Sequence, residues 1–243
     1  MTFCIGIKVR EGIVALADTR IVRGSEQSNK RKLAEFQYNG QGLFTMTSGL
    51  RSVRDKAITY RDESLRSDLQ DIDRLYKLVN RFGDQLRRGK REDGEALQST
   101  DYHFNSHAII GGRLVGDTGP QLFYVFPEGN WIEVAEDAPY FIIVRTYYGK
   151  PILDRLLTYE TPMRLAIGLA FLAFDATRTS VTDVDFPIDD AVLPERANTP
   201  SYRRFTAAEL ATTTAWWIDT LSQSLNAMPM EWASDPTLEA GCA

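Results

Sequence analysis

The chain has 243 residues, 43% of them hydrophobic and 25% charged, values that exclude a disordered or fibrous chain and allow a sizeable core. A formal net charge of -5 gives no general attraction for nucleic acid or an anionic membrane. Two cysteines at opposite ends, Cys4 and Cys242, are too few for a disulfide framework and lack metal-ligand spacing, which fits a reducing cytoplasm.

The opening segment from Met1 to Lys8 lacks the basic start and apolar stretch of a secretory signal, and no apolar run is long enough to span a bilayer. Residues rich in Val and Ile predict strands over 3–9 and 13–17, joined by a hairpin through Arg10-Glu11-Gly12. A polar loop with Gly24, Ser25, Ser28 and Asn29 follows. A second hairpin is expected from 32–38 and 43–47 around Asn39-Gly40.

Helical spacing then takes over, first through Val53, Ala57, Ile58 and Tyr60, then more clearly through Ile72, Leu75, Val79, Phe82 and Leu86. The charged stretch Arg87 to Gly94 reads as a solvated loop. Strands are expected again over 107–115, 121–126, 131–134 and 140–144, punctuated by Gly111-Gly112, Gly119-Pro120 and Pro127-Glu128-Gly129. Helices are predicted over 152–158, over 162–175 with Pro162 in the first turn, and over 207–225. Strands and helices come in blocks rather than in alternation, which argues against a parallel doubly wound sheet and for an α+β chain of two antiparallel sheets with helices outside. No repeat or low-complexity segment marks a boundary, so residues 1–243 are read as one domain.

Thr2 at the start, a first hairpin ending Ala15-Leu16-Ala17-Asp18-Thr19-Arg20, and Arg31-Lys32-Leu33 opening a later strand, taken in that order, resemble the proteasome beta-type subunits of the N-terminal-nucleophile hydrolases. Tyr148-Gly149-Lys150-Pro151-Ile152-Leu153-Asp154-Arg155 and Phe174-Asp175-Ala176-Thr177 are similar to Anbu, the bacterial ancestral-beta-subunit branch of that family. The resemblance covers residues 2 to 190 and implies a four-layer sandwich: helices, two antiparallel sheets, helices.

It further implies a self-compartmentalising threonine peptidase whose nucleophile is Thr2 after removal of Met1. A threonine hydroxyl needs a base within reach, and an α-amino group with an ordinary pKa of about 7.7–8.0 supplies one. The resemblance makes Asp18 the acidic residue ending the second strand and Lys32 the lysine that tunes the amine and the hydroxyl. Gly49 matches the glycine whose N–H serves the oxyanion hole. Asp175 matches the acidic residue that supports the amino terminus, and Ser180 the hydroxyl partner, with Thr177 and Thr179 as alternatives. Lys30, Thr47 and Arg51 fall at the substrate pocket, where Arg51 gives a positive wall that favours an acidic or polar side chain on the acyl side of the cleaved bond.

Two departures accompany the resemblance. The Ser-Gly-Ser of proteasomes is replaced by Thr146-Tyr147-Tyr148-Gly149, and Arg145 stands where Anbu is expected to carry glutamate. No metal or organic cofactor is implied, and the partners are other copies of the chain, in a ring or open ring-like turn, and peptide or unfolded protein. Two alternatives share the fold: a catalytically silent assembly subunit and a small-molecule amidase. His103 and His107 lack the glutamate of a helical zinc motif, Cys4 reads as a small core residue, and Asp183, Asp185, Asp189 and Asp190 lack calcium-loop spacing. Trp216 and Trp217 at the last helix read equally as core packing and as an exposed assembly face.

Overall fold

A computed structural model describes residues 2–23, 26–67, 72–100 and 104–233. The chain divides into two units, one ending at Phe205 and the other beginning at Thr206.

The first unit runs β1 (Phe3–Val9), β2 (Gly12–Asp18), β3 (Arg20–Arg23), β4 (Glu26–Asn29), β5 (Leu33–Tyr38), β6 (Gln41–Gly49), α1 (Arg51–Ser67) and α2 (Leu75–Gln98). It continues with β7 (Ser106–Gly112), β8 (Gln121–Val125), β9 (Trp131–Glu133), β10 (Tyr140–Val144), α3 (Thr146–Leu156), α4 (Met163–Ser180), β11 (Ile188–Pro194) and β12 (Ser201–Phe205). Two five-stranded sheets, β10-β1-β2-β11-β12 and β5-β6-β7-β8-β9, are antiparallel throughout, while β3 and β4 form a separate hairpin.

Alternation along the strands decides what each face meets. Cys4, Ala15, Ala17 and Ala191 of the first sheet pack on Phe44, Met46, Ile109 and Leu122 of the second. The opposite face of the second sheet, with Ala108, Ile110, Phe123 and Val125, receives Leu75, Leu78, Val79, Phe82 and Leu86 of α2 at helical spacing. Helices α3 and α4 lie against β10, β1 and β2 on the other side. The order of layers is therefore helix, sheet, sheet, helix, an α+β sandwich.

The predicted hairpin at Asn39-Gly40 is present, with φ of 48° and 77° at the two turn residues. Three stretches differ from expectation. The polar segment after Arg20 contains the hairpin β3–β4. Residues Arg87 to Gly94 are not a loop but the second half of α2. Several of their charges are paired rather than merely solvated: Arg88 reaches Glu92 one turn on, and Lys56 of α1 contacts Glu92 and Asp93 at 2.7 and 2.8 Å. Asp189 and Asp190, read as part of an acidic cluster, lie buried on β11 opposite Arg204 and Arg203 of β12, each bound by its partner.

The second unit begins at Thr206, which caps α5 (Ala207–Asn226) reciprocally with Glu209. No residue of α5 is buried, and Trp216, Ile218, Leu221 and Leu225 are exposed, which decides against core packing for Trp216. Among the described residues no helix is long and apolar enough to cross a membrane.

Candidate active site

Thr2 immediately precedes β1, and its neighbour Phe3 is held on three sides. The Phe3 N–H donates to Asp18 Oδ1 at 2.8 Å, its backbone pairs with Val144 of β10, and its ring lies 6.2 Å from that of Phe174 on α4. The residue at position 2 is consequently buried rather than frayed.

Asp18 ends β2 and is fully buried. Lys32 leads into β5, where its carbonyl accepts the Thr47 N–H of β6, and its side chain crosses to the other sheet. There Nζ donates to both Asp18 oxygens at 2.7 and 2.8 Å, and the Arg20 N–H adds a bond of 3.1 Å to Oδ2. Burial pushes the Asp18 carboxyl above the ordinary aspartate value, against the opposing pull of Lys32 and of the backbone donors. Asp18 and Lys32 thus form a buried ion pair joining the two sheets close to Thr2.

Gly49 closes β6 at φ +116°, a region L-residues rarely adopt, and a Cβ there would stand 2.2 Å from the Asn105 carbonyl oxygen. The bend opens a cleft of about 1010 Å³ lined by Thr2, Lys32, Thr47, Gly49 and Arg51, with Lys30 at its rim. Arg51 donates from Nε to Asp55 Oδ2 at 3.1 Å, so part of its charge is offset before any ligand arrives. Motif reading missed Arg54, Asn105, Val144 and the hairpin residues Ile21, Val22 and Glu26 to Ser28, which line the same cleft. Hydrophobic patterning carries no signal for these, because a cleft wall need be neither buried nor periodic.

The two residues expected to support the amino terminus both lie on α4, and each has a partner on that helix. Asp175 is buried on α4, and Arg178 one turn on donates to its Oδ1 at 2.8 Å. Ser180 is exposed, and its hydroxyl donates to the Ala176 carbonyl of its own helix. Thr177 and Thr179, the alternatives, bond backward in the same way to Ala173 and Asp175.

His107 shares a 2.9 Å hydrogen bond with Tyr124, while His103 lies outside the described residues, as do Met1 and Cys242. Cys4 is a core residue whose thiol is pushed up by burial. Among the described residues no cluster of three His, Cys, Asp or Glu side chains could hold a metal ion.

No protein-family model and no curated protein matches the chain. Solved structures do. The helical assembly of the Anbu complex from Pseudomonas aeruginosa is 27% identical with a TM-score of 0.86, over 97% of this chain and 99% of that one. An Anbu Gly-1 mutant from Hyphomicrobium sp. strain MC1 is 27% identical with a TM-score of 0.85, over 94% and 98%. Anbu, the ancestral beta-subunit, from Yersinia bercovieri is 26% identical with a TM-score of 0.84, over 93% and 97%.

Proposed function

Since the chain is Anbu-like and has the proteasome beta-type fold over nearly its whole length, we propose that it is a threonine peptidase whose nucleophile is Thr2, freed by removal of Met1. The observation that carries this reading is the buried Asp18–Lys32 pair, whose lysine lines a cleft together with Thr2. The neutral α-amine takes the hydroxyl proton as Oγ attacks the peptide carbonyl. The Gly49 N–H receives the developing oxyanion, and the amine returns the proton to the leaving nitrogen. Water then hydrolyses the ester and restores Thr2. The Lys32 cation lowers the pKa of amine and hydroxyl together, which keeps the base neutral at pH 7.

Substrate is short or unfolded peptide, with an acidic or polar side chain favoured beside Arg51, Arg54 and Lys30. The setting is the cytoplasm, and no cofactor takes part. Intact-mass spectrometry before and after treatment with a peptide β-lactone tests the mechanism. Loss of one methionine and a single adduct mapped to Thr2, absent in Thr2→Ala, are expected. A retained Met1 in labelled protein, or equal labelling of Thr2→Ala, sinks the proposal.

The Arg178 bond to one oxygen of Asp175 favours a second reading, a silent assembly subunit, because it draws on a carboxylate that the resemblance assigns to the amino terminus. Absence of any adduct on folded protein would select that reading. Both readings include self-assembly, in keeping with the helical assembly formed by the Pseudomonas relative and with the exposed apolar side chains of α5. Light scattering should give a mass well above one chain, and a monomer across a wide concentration range excludes compartmentalisation.

A further inference from the structure

The departure at Arg145 has a structural counterpart. The register Phe3↔Val144 ends the β1–β10 pairing, with Thr2 preceding the first residue of that pair and Arg145 following the second. Between them Val144 adopts φ +76°, closed by a bond from the Arg145 N–H to the Ile143 carbonyl at 3.2 Å. This is a three-residue turn with positive φ at a β-branched residue, a strained conformation that persists only where neighbours hold it. Val144 lines the cleft with Thr2, so the strain sits at the candidate active site.

Arg145 Nη2 donates to Asp183 Oδ2 at 2.9 Å, while its Nε is buried without a hydrogen-bond partner. Asp183 belongs to the connection between α4 and β11, and that connection is gripped from the other side by Arg20. The Arg20 guanidinium donates to the Thr182 carbonyl at 3.1 Å and pairs with Asp185 at 2.6 Å, while its backbone N–H binds Asp18. The connection thus links the Asp18 side of Thr2 to the Val144 side. Burial pushes the Asp183 carboxyl up, but the Arg145 hydrogen bond and the positive charge of the unprocessed chain's amino terminus bring it below the ordinary aspartate value. At neutral pH it is an ionised, acceptor-only group.

We propose that Arg145 and Asp183 are positioning residues, in which Arg145 holds the Val144 turn and orients Asp183, and Asp183 accepts a hydrogen bond from the α-amino group of Thr2. The proposal rests on Thr2 being the nucleophile. It gives the amine a fixed acceptor. With one N–H engaged by Asp183, the lone pair of the neutral amine is directed at the Thr2 hydroxyl.

The test is the rate of covalent capture by a peptide vinyl sulfone, measured to saturation. In Asp183→Asn and Arg145→Met the saturating rate should fall on the order of 10- to 100-fold, the scale of a small misplacement of reacting groups, with the half-saturating concentration unchanged. Arg145→Lys should recover most of the rate, and the double variant should be no slower than the slower single one, because the two act as one unit. Asp183→Asn is isosteric and decides the matter if Arg145→Met melts early. Wild-type saturating rates in the single variants, or a loss confined to half-saturation, overturn this inference alone. A wild-type protein that is never labelled overturns the peptidase reading and this inference with it.

Discussion

Lys32→Ala is expected to lower turnover of a fluorogenic peptide by about 10²-fold or more, the scale of losing one preorganised electrostatic contact at a reacting centre. It should also destabilise the fold by about 3–5 kcal/mol, since it leaves a buried carboxylate without its cation. The two effects are separable. Asp18→Asn with Lys32→Met removes both charges and should return most of the stability, while turnover stays low. Urea unfolding beside the peptide assay measures both quantities, and wild-type turnover in Lys32→Ala removes the lysine from the mechanism.

The stability deficit carries a sign in pH. Burial already raises the Asp18 carboxyl above its ordinary value, and loss of Lys32 removes the strongest opposing influence. A raised folded-state pKa means that the folded form binds a proton before the unfolded form does. The deficit should therefore be largest at neutral pH and shrink as pH falls through that raised value. A deficit that grows toward acid would contradict the burial of an unpaired carboxylate.

Gly49→Ala should be nearly as damaging by a different route. Its backbone at φ +116° costs an L-residue about 1–3 kcal/mol, and the added Cβ meets the Asn105 carbonyl carbon and oxygen at 2.7 and 2.2 Å. Backbone atoms cannot swing aside as a side-chain tip would, so the end of β6 or residue 105 must move. Thermal unfolding should register the loss. Turnover should fall by about 10²- to 10³-fold as the N–H proposed for the oxyanion leaves its place. A Gly49→Ala protein as active as wild type would assign the glycine to chain geometry alone.

Much of the architecture was legible in the chain because burial imposes a period. Leu75, Val79, Phe82 and Leu86 recur at helical spacing, and residues 107–115 and 121–126 read as strands punctuated by glycine and proline, which the structure narrows to Ser106–Gly112 and Gln121–Val125. Charge has no such period. Arg87 to Gly94 looks the same as a solvated loop or as a helix face tied to Lys56. Asp189 and Asp190 look like surface acids until β12 lays two arginines across from them. The strand β11 was hidden for that reason, its polar positions concealing a segment buried on both faces.

Resemblance singled out Thr2, Asp18 and Lys32, and ordinary local chemistry determined that the chain begins with a hairpin, turns at Asn39-Gly40 and forms a helix over about 207–225. What those residues do to one another was decided only by tertiary structure. Lys32 meets Asp18 because β5 and β2 belong to different sheets stacked face to face. Arg145 and Asp183, 38 positions apart, meet because β10 pairs with β1 while the connection after α4 returns beside it. The physical reason is the range of the forces: burial is written residue by residue into the local pattern, whereas the partner of a charge is set by whichever distant segment the packed layers bring within a few ångströms.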